Sequence, residues 1–239
     1  MGALPRRLVA ELLGTALLVL FGAGSAVAAA TVGAGSMDFA GLGFVGLSFG
    51  IAIAVAVYAF GTVSGAHINP AVTIALAVAR RFSWADVVPY VVAQLVGATV
   101  GALLIVGMYG PRSVHVGLVG ATTLADGVGI WSGLLAEVLA TFLLVLTVMA
   151  LAVDARAPAG WAGLMIGLAV ACAIIVVAPL TGAALNPARA FGPYLVATLF
   201  GGTVPWREFP LYCVGPIIGG ALAALVYLVV SEPAPAAAD

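Results

Sequence analysis

The tripeptide Asn-Pro-Ala occurs twice, as Asn69-Pro70-Ala71 and Asn186-Pro187-Ala188, inside a chain that is 64% hydrophobic and only 7% charged. Asn is a favoured helix N-cap because its side-chain oxygen accepts a backbone N–H of the first turn. Pro suits the first helical position, where the N–H it lacks would have no partner anyway. Each motif therefore predicts a helix start, at Pro70 and at Pro187. Neither helix has room to be long, because Arg80 and Arg81 end the first and Gly201-Gly202 lies beyond the second. A membrane span takes about 20 apolar residues, and these two run roughly half that. Short helices at matching positions of two halves point to a site at the bilayer midplane.

The membrane follows from composition. A mean hydropathy of +1.26 is far more than a soluble domain needs, and so little charge would not keep one dispersed. The net charge of -1 gives no reason to expect a nucleic-acid partner. Cys172 and Cys213 both lie in apolar runs and read as small hydrophobes rather than a disulfide. Arg6 and Arg7 followed by an apolar stretch resemble a signal peptide, but the stretch is too long for one and contains Glu11. It reads as a retained first span.

Six full-length apolar segments are expected, at about Leu8–Ala30, Leu42–Phe60, Val87–Met108, Ile130–Val153, Ala162–Pro179 and Leu211–Val230. The short helices follow the second and the fifth. AELLGTALLVL from Ala10 matches AEVLATFLLVL from Ala136 at eight of eleven positions. The order span, span, half-helix, span thus occurs twice, over residues 1–115 and 116–231, with a Pro/Ala-rich tail at 232–239 expected to be disordered. Three spans per half is odd, so the halves enter from opposite sides. The fold class is an all-α membrane protein of six transmembrane helices and two re-entrant half-helices in an inverted repeat. Arg6, Arg7, Arg80, Arg81 and Arg156 fall on one side, Arg112 and Arg207 on the other. The positive-inside rule puts both termini and the Gly65 loop in the cytoplasm.

Opposed helix N-termini make a positive midpoint that penalises a cation and not a neutral solute. Each capping Asn is expected to point its NH2 donors into the gap. Non-helical backbone at membrane depth is tolerated where it lines water, so Gly65, Ala66 and His67, with Gly182, Ala183 and Ala184, are expected to offer carbonyl acceptors. Such a wall suits small uncharged hydrogen-bonding molecules. Arg189, in the first turn after Asn186, gains nothing from the dipole and is read as a lining donor that repels cations. Its counterpart in the first motif is Val72, so the two mouths differ. Glu11 and Glu137 occupy equivalent places in the repeat and read as braces for the loops' backbone N–H groups rather than a proton relay. His67 reads as a hydrogen-bonded loop histidine and His115 as solvated. No metal or cofactor is expected, since no Cys/His/Asp cluster is present.

With two such motifs, in SGxxxNPA and TGxxxNPAR contexts, and paired AE-x-x-x-T helix starts, nearly the whole chain resembles the aquaporin family of water and glycerol channels. The resemblance implies homotetramers in the cell membrane, one passage per subunit. It also implies a constriction at four positions, here Phe49, Ile174, Ala183 and Arg189. Water-selective members usually carry His where this chain has Ile174. Glycerol-specific members usually carry Gly there, an aromatic at the place of Ala183, and Asp where this chain has Ala190. The set here fits neither and is more similar to that of archaeal aquaporins. The reading is a passive channel for water and small neutral solutes such as glycerol that excludes protons and ions. Alternatives are a channel mainly for glycerol or for gases such as ammonia and CO2, with low water flux, or an ion-coupled secondary transporter. An enzyme is disfavoured by the absence of a paired nucleophile and base.

Overall fold

A computed structural model describes residues 3–231 except 34 and 36. The expected disordered tail, 232–239, lies outside the described residues. The six spans form where expected, the fourth at its expected bounds and the others running a few residues past theirs at one end or both: α1 Ala3–Val32, α2 Phe39–Ser64, α4 Trp84–Tyr109, α6 Ile130–Val153, α7 Ala162–Thr181 and α9 Phe209–Val230. Caps account for two of the earlier starts. The Asp38 carboxylate accepts the N–H of Gly41 at 2.7 Å to open α2, and Ser83 Oγ accepts that of Ala85 to open α4. Half-helix α3 spans Pro70–Val78 and half-helix α8 spans Pro187–Leu199. A short helix, α5, covers Arg112–Gly117 between the halves.

Outward faces are apolar at helical spacing, as lipid requires. Phe44, Leu47, Ile51, Val55 and Tyr58 form such a stripe on α2, and Trp131, Leu135 and Leu139 another on α6. Inward faces are small. Gly97 and Gly101 of α4 let that helix settle on the backbone of Leu12 and Ala16 in α1, and Gly219 of α9 does the same on Val138 of α6. Gly50 and Gly167 bring α2 and α7 together across the middle of the molecule.

The half-helices are exchanged between halves. α3 leans on α9, where a Cβ at Gly220 would meet the Ala71 carbonyl at 3.2 Å, and α8 leans on α4, with Gly192 against the Ala98 carbonyl. Each half therefore closes over the other's half-helix, which fixes both helix starts at the centre. Beyond α6, the Asp154 carboxylate accepts from Arg156 and from Tyr227 of α9 at 2.7 Å. The Arg156 guanidinium first, and then the Tyr227 hydroxyl, hold that carboxyl well below the usual carboxylate range.

Candidate functional site

The two half-helices begin face to face. Asn69 caps α3, its Oδ1 accepting from Ala71 N–H at 2.8 Å. Asn186 caps α8, accepting from Ala188 at 2.9 Å and Arg189 at 3.2 Å. With each oxygen turned back onto its own helix, each amide nitrogen faces away from it. Asn69 Nδ2 donates to the Leu185 carbonyl and Asn186 Nδ2 to the Ile68 carbonyl, both at 2.8 Å. This modifies the expectation that both donors of each amide point into the gap. One hydrogen of each is taken by the opposite loop, and one is left for the cavity that both side chains line.

The loops before the asparagines share one unusual conformation. Gly65 and Gly182 end α2 and α7 with φ of 88° and 75°, left-handed values that glycine adopts without a Cβ penalty. Ala66, Ile68, Ala183 and Leu185 also have positive φ, between 45° and 54°. Each costs about 1–3 kcal/mol, and for β-branched Ile68 the conformation is rare.

The glutamates supply the compensation. Glu11 Oε1 accepts from His67 N–H at 2.9 Å and Ser64 Oγ at 2.7 Å; its Oε2 accepts from Ile68 N–H at 2.7 Å and Gln94 Nε2 at 2.8 Å. Glu137 Oε1 accepts from Ala184 N–H at 2.9 Å and Thr181 Oγ1 at 2.6 Å, and Oε2 from Leu185 N–H at 2.8 Å. Both carboxylates are fully buried. With their N–H groups turned to the glutamates, the loops leave the carbonyls of Gly65, Ala66, His67, Gly182, Ala183 and Ala184 accepting no hydrogen bond from any described residue. All of these residues line the cavity except Gly182, which sits behind the wall against Thr122.

Sequence reasoning missed the rest of this bracing. Ser64 Oγ and Thr181 Oγ1 accept the N–H groups of Ala66 and Ala183, both at 3.0 Å. Tyr90 and Tyr212 donate to the Ser64 and Thr181 carbonyls at 2.8 and 2.9 Å. Both pairs sit at equivalent repeat positions, so aligning the halves beyond their first helices would have exposed them. Gln94 has no such twin. His67 is hydrogen-bonded as expected, with Nδ1 3.2 Å from Thr73 Oγ1, and packs edge-on to Phe82. His115 is exposed on α5.

Phe49, Ile174, Ala183 and Arg189 all line one cavity of about 370 Å³, which continues past Asn69 and Asn186 to Arg81. Arg189 is 3% exposed. Its Nη1 donates to the Gly120 carbonyl at 2.7 Å, its Cζ lies 4.8 Å from the centre of the Phe49 ring, and its Nε has no partner among the described residues. Gly120 lies in the stretch between α5 and α6, for which the sequence pointed to no role. Leu118, Val119 and Gly120 are three successive left-handed residues driven inward, with Val119 fully buried.

The repeat gives each of these four positions a counterpart at the other mouth. Twenty residues before Asn186 is Ile166, twelve before Asn69 is Val57, three before it is Ala66, and three after it is Val72. All four line the same cavity. At these four positions one end thus carries an aromatic and a guanidinium where the other carries only aliphatic groups, although Arg81 and His67 also line that other arm. Among the described residues no group of three or more His, Cys, Asp or Glu side chains is placed to hold a metal ion.

Residues 3–227 match the family model described as "Major intrinsic protein". The chain is similar to "Aquaporin AqpM" of Methanothermobacter marburgensis, at 46% identity over 95% of this chain and 98% of that one. It is also similar to "Glycerol uptake facilitator protein-like 6" of Lactiplantibacillus plantarum, at 36% identity over 92% of this chain and 95% of that one. Its fold matches the X-ray structure of the aquaglyceroporin from Plasmodium falciparum with a TM-score of 0.85 and 25% identity, covering 95% of this chain and 96% of the other.

Proposed function

The chain belongs to the major intrinsic protein family, and on that premise we propose how its residues carry out the family's work. The protein is a multi-pass membrane channel and not an enzyme. Water and small neutral solutes cross it passively.

The observation that carries the residue-level reading is the reciprocal pair of bonds between Asn69 and Leu185 and between Asn186 and Ile68. They hold two helix N-termini, each equivalent to about half a positive charge, against one cavity with one free amide hydrogen apiece. A water oxygen at this point accepts from both asparagines. With both lone pairs engaged it receives no proton from a neighbouring water, so a hopping proton stops there. A metal cation loses its hydration and meets only positive ends. A neutral hydroxyl takes the donors at the centre and gives its own hydrogen to the free carbonyls on either arm.

Phe49, Ile174, Ala183 and Arg189 form the constriction. Ile174 and Ala183 leave it apolar and open on two sides, which suits both water and a polyol. The arginine bias supports an orientation with the termini and the Arg81 mouth in the cytoplasm of a cell membrane. The two halves, 1–115 and 116–231, act as inverted repeats. Family resemblance supports a homotetramer with one passage per subunit.

Proteoliposomes carrying the protein should shrink faster than empty ones under osmotic shock, with a low activation energy and no ion conductance. Rapid glycerol entry with water flux no faster than in empty vesicles would favour the mainly-glycerol alternative. Failure of both fluxes would overturn the reading. Ile174→His should raise the water-to-glycerol flux ratio about tenfold, since one added polar wall both fills space and competes for water. An unchanged ratio in stopped-flow light scattering removes Ile174 from the constriction.

A further inference from the structure

Phe49 and the carbonyl that anchors Arg189 both rest on one turn of α1. Residues Leu18–Ala23 are wound as a π-helix, with Gly24 N–H directed at the Val19 carbonyl among others. Ser25 Oγ donates to the Gly22 carbonyl at 2.6 Å, a second partner within the widened turn. A π segment inside an α-helix is rare and is frequently found at functional sites.

Here it aims two consecutive residues at the constriction. Gly22 lies directly behind the Phe49 ring: a Cβ there would fall on the ring, with Cγ at 2.9 Å. Ala23 lies behind Gly120, where a Cβ would meet the Ala23 carbonyl and lie 2.9 Å from its Cβ. Gly120 in turn accepts Arg189 Nη1.

We infer that the π turn of α1 sets the width of the constriction, and that Gly22 is a specificity-determining position acting through Phe49. This rests on the reading of Phe49 and Arg189 as constriction residues. α1 has nowhere to retreat, because Gly97 and Gly101 of α4 already sit on its backbone at Leu12 and Ala16. An added methyl at Gly22 therefore moves the ring and not the helix. Carbon atoms need about 3.5–4.0 Å between them, so the ring shifts by roughly 1 Å toward the guanidinium and into the lumen. A polyol loses passage before water does.

The test compares glycerol and water permeability in proteoliposomes. Gly22→Ala should lower the glycerol-to-water ratio about tenfold. Gly24→Ala, whose Cβ would meet Ile105 at an ordinary 3.4 Å, should leave it unchanged. Phe49→Ala should raise the ratio, and Gly22→Ala added to Phe49→Ala should have no further effect, since the ring it displaces is gone. If Phe49→Ala shifts the ratio while Gly22→Ala does not, the inference is wrong and the constriction reading stands. If Phe49→Ala itself changes nothing, the constriction reading fails first. Should Gly22→Ala alone not assemble, the double variant decides: assembly with the ratio of Phe49→Ala supports the inference, and failure to assemble overturns it.

Discussion

Glu137→Leu should destroy the protein as a folded channel. The substitution strips partners from Ala184 N–H, Leu185 N–H and the Thr181 hydroxyl at once. Each buried orphan costs about 1–3 kcal/mol. The total, on the order of 5 kcal/mol, is comparable with the whole stability of many domains. Strain adds to this, because Ala183 and Leu185 have positive φ and would relax once released. Glu11→Leu leaves His67, Ile68, Ser64 and Gln94 without the same acceptor and should be at least as damaging. Glu137→Gln keeps one carbonyl oxygen but turns an NH2 toward a donor, so it should fall between. Thermal unfolding in detergent, alongside flux in vesicles, measures this. A leucine variant with unchanged unfolding temperature and flux would show that the loops are held by something other than the carboxylates.

Arg189→Val should open the channel to protons and cations while water flux persists. The substitution gives the Arg189 mouth the same residue that Val72 presents at the other end, so only the opposed helix starts and Arg81 at the far mouth would remain to repel charge. Removing a unit positive charge several ångströms from a cation's path lowers its barrier by about 2 kcal/mol at an effective dielectric near 20, roughly thirtyfold in rate. The Gly120 carbonyl loses its donor as well, which loosens the strained 118–120 segment and should widen the passage to glycerol. Dissipation of a pH gradient across loaded vesicles is the readout. A proton leak equal to that of the parent protein would make Arg189 a tie between loops and nothing more.

Much of this was legible in the sequence because the chain repeats. Asn69 and Asn186, Glu11 and Glu137, and the contrast of Val72 with Arg189 all stand out once the halves are laid side by side. The six spans were legible because lipid leaves few alternatives for an apolar run of that length. Three things were not. The cross-bonds from each asparagine to the other loop depend on where opposite halves meet, and no local pattern encodes that. Ser64, Thr181, Tyr90 and Tyr212 act through single atoms on a loop's backbone, and such residues look like ordinary membrane-helix polar groups. The inward segment at Leu118–Gly120 carries no motif and two residues that disfavour its conformation. It is stabilised by contacts with Ala23 and Arg189 far along the chain.

The aliphatic set Ile166, Val57, Ala66 and Val72 facing the polar set at the opposite mouth has a consequence for inhibition. Microscopic reversibility makes the permeability of a passive conduit near equilibrium the same in both directions, however lopsided its gate. Plugging obeys no such symmetry. A bulky apolar molecule arriving from the Arg81 side, once past that guanidinium, meets the aliphatic side chains of Val57, Val72 and Ile166 before it reaches the asparagines. The same molecule arriving from the other side meets the Phe49 ring and the Arg189 guanidinium that the Gly120 carbonyl holds over it. Conduction near equilibrium is even-handed, whereas a plug meets a different wall from each side.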